Sequence, residues 1–293
     1  MEINIKPGKY VVAVSGGVDS IVLLDLLRQN KDLELVVAHF DHGIRSNSSD
    51  DRLLVEQVAK KHKLVFHFDE GNLGPNTSEA TARAKRYEFL NNTKKKTKSN
   101  AVITAHHQDD LLETAIINLL RGTNRRGLSS MYSSDIIRPL LPYKKQDLLK
   151  YATVYNLVWN EDSTNQDTKY LRNYIRLEII SKLTLTQRDS LLRIITHSKE
   201  SNKQIDNLLS TLLKTNSKDG KISKVWFIGL PHNIAREVMS TWLRQQSITF
   251  DKSIIESLVI AAKTLASGKS RDIDKDHILR VQGDYLALLS SER

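Results

Sequence analysis

The sequence contains no cysteine among its 293 residues. A chain without thiols forms no disulfides, binds no zinc through thiolates and ligates no iron–sulfur cluster. It also lacks a cysteine nucleophile and a persulfide carrier. We therefore exclude every class of enzyme whose chemistry depends on the sulfur atom of its own cysteine.

Two other features are absent, a secretory signal and a long apolar run. The first ten residues, MEINIKPGKY, contain no basic stretch followed by an apolar one. No apolar run approaches the ~20 residues that a membrane-spanning helix needs. We expect a cytoplasmic protein without a membrane partner. The sequence leaves the oligomeric state open, a homodimer included.

Positive charge is in excess. The chain has 44 Lys and Arg residues against 34 Asp and Glu residues, which gives a formal net charge of +10. Such a surplus favours anionic partners, and nucleic acid is the leading candidate. A solvated basic surface without a partner is the alternative interpretation.

The first half of the chain alternates strand and helix signals. Strands are predicted at 11–14, 34–40, 64–68 and 101–104, and helices at 18–28, 49–61, 76–90 and 109–120. Asn76 and Glu79 form a capping-box pattern, and the lysine run Lys94–Lys98 falls in a predicted loop. Strands that alternate with helices are joined by right-handed crossovers. We therefore predict an α/β fold built on a doubly wound parallel sheet.

The pattern changes near residue 185. Further helices are predicted over 186–214, 231–245 and 253–265, and the tail forms a hairpin that turns at Gln282–Asp284. This gives a first domain over residues 1–185. A connecting helix and a smaller α+β domain follow over residues 186–293.

A glycine loop stands between the first predicted strand and the first helix. Its sequence SGGVDS comprises Ser15, Gly16, Gly17, Val18, Asp19 and Ser20. The glycines carry no Cβ, so backbone N–H groups can approach an anion at the positive end of the helix. The serines offer hydroxyl groups, whereas Asp19 suits a phosphate only with Mg²⁺ between them. No lysine follows, so the Walker pattern is excluded, and an ordinary strand–turn–helix junction is the alternative.

Acidic and histidine side chains follow the fourth predicted strand. They are His106, His107, Asp109, Asp110 and Glu113. Ligands of open α/β sheets bind outside the carboxyl ends of the strands, so this cluster is predicted to face the glycine loop. Asp110 and Glu113 share one helix face, which suits metal binding or base catalysis. Capping of the helix by its acidic first turn is the alternative.

Basic residues near the same edge are candidate contacts for phosphate or RNA. They are His42, Arg45, Arg83, Arg86, Arg138, Arg172 and Arg176. The first two follow the second strand, and the last two are four residues apart. For Arg83 and Arg86 the alternative is an ordinary solvated side chain, and for His42 it is a turn at Asp41–Gly43 without a ligand.

The hexapeptide SGGVDS resembles the PP-loop of the ATP pyrophosphatase family. Four further stretches resemble one family within it, the tRNA(Ile)-lysidine synthetases. They are HFDHGIR at 39–45, EATARAKRYEFL at 79–90, TAHHQDDLLETAIINLLRG at 104–122, and RPLL at 138–141 with DSTNQDTKYLRNYIR at 162–176. The resemblance covers about residues 9–180 and is looser over 200–293.

This resemblance implies an adenine nucleotide α-hydrolase-like fold and cleavage of ATP between its α- and β-phosphates with Mg²⁺. The implied reaction adenylates the C2 oxygen of the wobble cytidine in an isoleucine tRNA with a CAU anticodon. L-Lysine then displaces AMP and leaves lysidine. The second domain would bind the tRNA.

The resemblance also implies residue roles. The glycine loop, His39 and Arg83 would bind ATP, and Asp19 would in addition hold Mg²⁺. Catalysis would fall to Asp19, Asp110, Asp109 and His106. The implied contacts to tRNA or substrate are His42, Arg45, Glu113, Arg138, Arg172 and Arg176.

The missing cysteines narrow the choice within the PP-loop family. Thiolating members that use a persulfide or a cluster need cysteine, and so do members that release ammonia from glutamine. A free amine remains as the nucleophile. An ammonia-dependent amide synthetase such as NAD synthetase is the first alternative. The second is a non-catalytic RNA-binding protein with a nucleotide site.

Overall fold

A five-stranded parallel sheet lies at the centre of the N-terminal part of the chain. The structure is a computed structural model that describes residues 1–43, 48–71, 73–74, 77–123, 125–132, 136–161 and 171–291. The strands are β1 Gly8–Ala13, β2 Leu33–Asp41, β3 Val65–Glu70, β4 Ala101–Ile103 and β5 Ile136–Ile137. Their order is β3-β2-β1-β4-β5, and all neighbouring pairs are parallel. The predicted α/β fold is confirmed.

The strand order reverses between β1 and β4. The chain proceeds from β1 outward through β2 to β3 and then returns to the other side of β1 as β4. In sheets of this kind a crevice opens at the carboxyl ends of the two strands where the order reverses. The segments that follow β1 and β4 therefore meet at this crevice.

Helices cover both faces of the sheet. They are α1 Val18–Arg28, α2 Ser48–Lys61, α3 Glu79–Thr97, α4 Gln108–Leu120, α5 Lys145–Val154 and α6 Leu171–Tyr174. Val12 and Val37 are fully buried on the face covered by α1 and α5, whereas Val11 and Val36 pack with Leu90 of α3 on the other. Side chains of adjacent strand residues point to opposite faces, so both faces of β1 and β2 must be apolar.

The third helix differs from its prediction at both ends. It begins at Glu79 because the Ser78 hydroxyl accepts a 3.1 Å hydrogen bond from the Thr81 N–H, while Asn76 lies outside the described residues. It runs to Thr97, so the lysine run Lys94–Lys98 forms its last turn and cap and not a loop. Positive charge is favourable there because a helix C-terminus is the negative end of its dipole.

A second compact unit follows the first. The two units are Met1–Lys199 and Glu200–Arg293, and the boundary falls within the long helix α7, Leu185–Thr215. Between α6 and α7 the chain forms a π-helical turn, Ile175–Ile179, and a 3₁₀ turn, Ile180–Lys182. The predicted division lies near residue 185, and the roles predicted for its two parts stay predictions.

The C-terminal unit is α+β, as predicted. Its antiparallel sheet has the order β6-β7-β10-β9-β8, with β6 Ser217–Lys218, β7 Lys221–Ser223, β8 Ser270–Asp272, β9 His277–Gln282 and β10 Tyr285–Ser290. Its shorter helices are α8 Lys224–Ile228, α9 His232–Gln245 and α10 Lys252–Thr264. The predicted terminal hairpin is confirmed as β9 and β10. Across the described residues, no helix combines the length and the apolar character needed to cross a membrane.

A buried polar network joins α1 to α5. The Tyr151 hydroxyl donates a 2.8 Å hydrogen bond to the carboxylate of Asp25, which also accepts from Arg28. Gln29 donates to the same hydroxyl oxygen at 2.8 Å. Burial and the hydrogen bond to Asp25 raise the pKa of Tyr151 to about 12, so the hydroxyl keeps its proton. The network fixes α5 against α1.

Replacement of Tyr151 by phenylalanine tests this network. Tyr151→Phe should lower the free energy of unfolding of the N-terminal unit by about 2 kcal/mol, because a buried carboxylate loses a hydrogen bond. Tyr155→Phe is the matched control, since Tyr155 is 57% exposed just after α5 and its loss should change stability by less than ~0.5 kcal/mol. Urea denaturation measures both, and equal effects would show that the Asp25 contact adds no stability.

Candidate active site

The glycine loop after β1 is shaped by one serine hydroxyl. Ser20 Oγ accepts hydrogen bonds from the N–H groups of Ser15 and Gly16, at 3.1 and 3.2 Å, and donates to the Gly17 carbonyl at 2.8 Å. Gly16 has a φ of 95°, a conformation that favours glycine. A Cβ on Gly16 would also lie 3.2 Å from Cβ of Asp51. Both constraints explain why this position is a glycine.

The loop leads directly into the N-terminus of α1. Gly17 is the N-cap residue, and within the part of the chain that the structure describes no side chain caps the helix. The first-turn N–H groups of a helix need an acceptor, and an anion at this position supplies one. The geometry therefore suits a phosphate group in front of α1.

Asp19 lies at the centre of a charged cluster. Lys145 Nζ donates to both carboxylate oxygens of Asp19, at 2.7 and 2.8 Å. His107 Nε2 lies 3.6 Å from Oδ2 of the same carboxylate. Burial alone would raise the pKa of Asp19, but His107 and Lys145 outweigh it, so the pKa lies below its usual value. Asp19 is therefore ionised at neutral pH.

His107 connects Asp19 to the start of α4. Its Nδ1 accepts a 3.2 Å hydrogen bond from the Asp109 N–H, so the neutral ring carries its proton on Nε2. Nε2 lies 3.6 Å from both Asp19 Oδ2 and Asp110 Oδ2. The Asp110 carboxylate in turn accepts from the His107 N–H at 2.9 Å. The capping interpretation of Asp110 thus holds, and the same residue also faces Asp19 through His107.

A cleft of about 440 Å³ opens beside the loop, at the carboxyl ends of β1, β2 and β4. Among the predicted residues at these strand ends, those that line it are Ser15, Asp19, Ser20, His39, His42, His106 and Asp110. This grouping brings three predicted segments to one place. Arg45 lies outside the described residues.

His39 presents a hydrogen-bond acceptor in the cleft. Its Nδ1 donates to the Val14 carbonyl at 2.9 Å, so Nε2 has a free lone pair. Nε2 is buried and has no hydrogen-bond partner among the described residues. Burial lowers the pKa of His39, which keeps the ring neutral. A buried acceptor of this kind suits an N–H donor on a ligand.

His106, a predicted catalytic residue, has a different character. Its Nδ1 lies 2.8 Å from the Thr104 hydroxyl. Burial lowers its pKa to about 3, with Arg86 and Arg138 adding to the effect and Asp110 opposing it. The ring is therefore neutral and weakly basic at neutral pH. Its catalytic role stays a prediction.

Two other predicted residues form ion pairs away from the lining of the cleft. Asp109 pairs with Arg188 of α7. Glu113 has no exposed side-chain surface, and Arg176 and Arg172 donate to it at 2.5 and 3.1 Å. Burial raises the pKa of Glu113 while both guanidinium groups oppose the shift. In this geometry Glu113 anchors the segment around α6 to α4.

Two more predicted arginines also lie outside the cleft lining. Arg83 stacks on the Tyr87 ring, with its guanidinium carbon 4.7 Å from the centroid. Arg138 donates to the Met131 carbonyl at 2.7 Å. Arg86, which was a candidate phosphate contact together with Arg83, does line the cleft, and a role in binding stays a prediction.

Lys145 carries no predicted role, and His107 was predicted only as a member of the cluster that follows the fourth strand. Lys145 is 126 residues from Asp19 in sequence, in a segment for which no helix was predicted. The sequence signal for His107 was the histidine pair itself. Adjacent side chains in extended backbone point in opposite directions, so the two rings face different surroundings. Only the cap geometry distinguishes them.

The donor set of the site suits Mg²⁺ only together with a phosphate. Among the described residues, no three His, Asp or Glu side chains are grouped to hold a metal ion. Mg²⁺ is usually bound by one or two carboxylates with substrate phosphates and water. Asp19 provides such a carboxylate within the glycine loop itself.

Comparison with known proteins places this geometry in a family. Residues 2–183 match the family model described as a PP-loop domain. The tRNA(Ile)-lysidine synthase of Thermotoga maritima is 36% identical over 207 residues, which cover 66% of this chain and 50% of that protein. The tRNA(Ile)-lysidine synthase of Francisella tularensis subsp. holarctica is 28% identical over 294 residues, 96% of this chain and 74% of that protein.

A solved structure agrees on the fold. The U34-tRNA thiolase of Methanococcus maripaludis superposes with a TM-score of 0.55 at 17% identity, over 66% of this chain and 73% of that one. The chain spans about half the length of the first curated relatives it matches. The match over residues 2–183, with the loop at the switch point of a parallel sheet, shows that this chain belongs to the PP-loop domain family.

Proposed function

We propose that this protein is an ATP-dependent ligase that joins L-lysine to C2 of the wobble cytidine in an isoleucine tRNA with a CAU anticodon. The products would be lysidine in the tRNA, AMP and pyrophosphate. The observation that carries the proposal is the 36% identity to a tRNA(Ile)-lysidine synthase over 207 residues, together with the PP-loop domain match over residues 2–183. The absence of cysteine supports it, because a free amine needs no thiol chemistry.

The groups at the two ends of the cleft favour one orientation of ATP. The loop amides and the uncapped N-terminus of α1 would hold the β- and γ-phosphates. The unpaired Nε2 of His39 would accept a hydrogen bond from the adenine amino group. Asp19 would hold Mg²⁺, which when bound neutralises part of the phosphate charge.

The first chemical step would transfer AMP to the cytidine. The C2 oxygen of cytosine belongs to a urea-like carbonyl, and it leaves readily only after adenylation. As the oxygen attacks the α-phosphate, negative charge develops on the departing diphosphate. Fixed donors that face this charge stabilise the transition state, and each contributes about 3 kcal/mol. The loop and the end of α1 supply such donors.

The second step needs a neutral lysine amine. With a pKa near 10.4, only about one amine in 2,500 is neutral at pH 7. We propose Asp110 as the acceptor of the proton, since its carboxylate lines the cleft and lies 3.6 Å from Nε2 of His107. The amine then attacks C2, and the bond from C2 to the adenylated oxygen breaks to release AMP.

The net charge of +10 supports a tRNA substrate over a small one. Phosphate contacts by Lys and Arg make tRNA binding weaken steeply with salt. A single-stranded anticodon loop also lets the enzyme unstack the target base at low cost. An ammonia-dependent amide synthetase would need neither feature, which makes it the less favoured alternative.

Incubation with ATP, Mg²⁺, labelled lysine and total tRNA tests the proposed reaction directly. We expect label in one tRNA species, with AMP and pyrophosphate formed in equal amounts. Production of pyrophosphate without tRNA would indicate a small-molecule ligase. A folded protein that binds ATP and tRNA but yields no labelled tRNA under any condition would be a non-catalytic binder.

Replacement of Asp19 by asparagine separates chemistry from tRNA binding. Asp19→Asn should reduce pyrophosphate formation about 100- to 1,000-fold, because the site loses a fixed charge in the reacting region. The tRNA affinity should stay within about twofold, measured by filter binding. Asp32→Asn, at an exposed turn before β2, makes the same charge change and should leave both quantities unchanged. Parallel loss of both quantities in Asp19→Asn would show that Asp19 is structural.

A further inference from the structure

The glycine loop has no lysine of its own, yet an ammonium group is present beside it. Lys145 is the first residue of α5 and places its Nζ within 2.8 Å of both oxygens of Asp19. Asp19 belongs to the loop and to the first turn of α1. The charge that a Walker loop carries in its own sequence is therefore supplied here from a distant segment.

Several contacts fix the position of Lys145. The Lys144 N–H donates to the Asp147 carboxylate at 3.0 Å, which sets the start of α5. Just upstream, the Tyr143 carbonyl accepts a 2.9 Å hydrogen bond from the N–H of Gln108, the first residue of α4. The helix itself is held to α1 by the Tyr151 network. The start of α5 is thus tied to both helices that border the cleft.

The ion pair between Lys145 and Asp19 is partly open to solvent. The Lys145 side chain is 36% exposed and that of Asp19 is 28% exposed. Ion pairs of this exposure contribute little to stability and exchange partners readily. A lysine side chain also rotates freely, with three donors on a compact charge. Lys145 can therefore leave Asp19 without disturbing the fold.

We propose that Lys145 binds the departing diphosphate of ATP, and that its contact with Asp19 is the state before nucleotide binding. This inference rests on the proposed function, because it requires a nucleotide triphosphate at the loop. On binding, the ammonium moves from Asp19 to oxygen atoms of the β- and γ-phosphates. It then opposes the negative charge that grows there as the bond to the α-phosphate breaks.

The exchange has an electrostatic reason. Without a nucleotide, Lys145 and His107 compensate the buried charge of Asp19, as its lowered pKa reflects. When a nucleotide binds, the site must accept several negative phosphate charges. The ammonium group of Lys145 is close enough to compensate part of that charge. Lys145 acts on the diphosphate alone, so its contribution should depend on whether the ligand contains one.

The test compares ATP with AMP, which lacks the diphosphate. Isothermal titration calorimetry with Mg²⁺ present would measure the affinity of each nucleotide for wild-type protein and for Lys145→Met. We expect Lys145→Met to weaken ATP binding about tenfold to a hundredfold, as for loss of a charge-assisted hydrogen bond. AMP binding should change by less than about twofold. Lys150→Met, at an exposed position on α5, is the matched control and should bind both nucleotides as the wild type does.

The outcomes separate this inference from the proposed function. Parallel weakening of ATP and AMP, or no change in either, would overturn the role of Lys145. If Lys145→Met selectively weakens ATP binding but the wild-type protein forms no lysine-modified tRNA, the role of Lys145 is upheld and the proposed reaction is overturned. A wild-type protein that does not bind ATP would overturn both.

Two further variants keep the test valid if Lys145→Met does not fold. Lys145→Gln retains a hydrogen-bond donor for Asp19 but removes the charge, so it should fold and still lose selectivity for ATP over AMP. Lys145→Arg retains the charge and should keep most of that selectivity. Equal selectivity in the Gln and Arg variants would contradict a role for the ammonium charge.

Discussion

The carboxylate of Asp19 is the point at which three helices meet. It lies on α1, receives both hydrogen bonds of Lys145 from α5, and faces Nε2 of His107 at the start of α4. A half-buried carboxylate is costly unless neighbouring charges compensate it. The fold satisfies this condition by bringing Lys145 and Asp19, which are 126 residues apart, into contact.

The sheet topology makes this meeting possible. Because the strand order reverses between β1 and β4, the loop after β1 and the turn after β4 end at the same crevice. Loop conformation then depends on the Ser20 hydroxyl and on Gly16, while the His107 cap fixes the start of α4. Short-range hydrogen bonds and backbone preferences thus position both the glycine loop and the start of α4.

The sequence predicted those parts of the molecule that depend on local pattern. The four strands, α1 and the terminal hairpin follow from periodicity and turn residues, and the loop follows from its glycines. It did not predict α5 or Lys145, because a lone lysine on an amphipathic helix has no distinguishing local signal. It placed both His106 and His107 in the cluster after the fourth strand but assigned catalysis to His106 alone, because only the hydrogen bond from the Asp109 N–H shows that the His107 ring faces Asp19. Tertiary contacts decide such cases.

The buried pairing of Tyr151 with Asp25 has an effect beyond stability. The helix that it anchors also carries Lys145 at its first residue, about two turns away. Warming that loosens this anchor would let the end of α5 drift while the central sheet stays intact. Selectivity among nucleotides would then fall at a lower temperature than the one at which the protein unfolds.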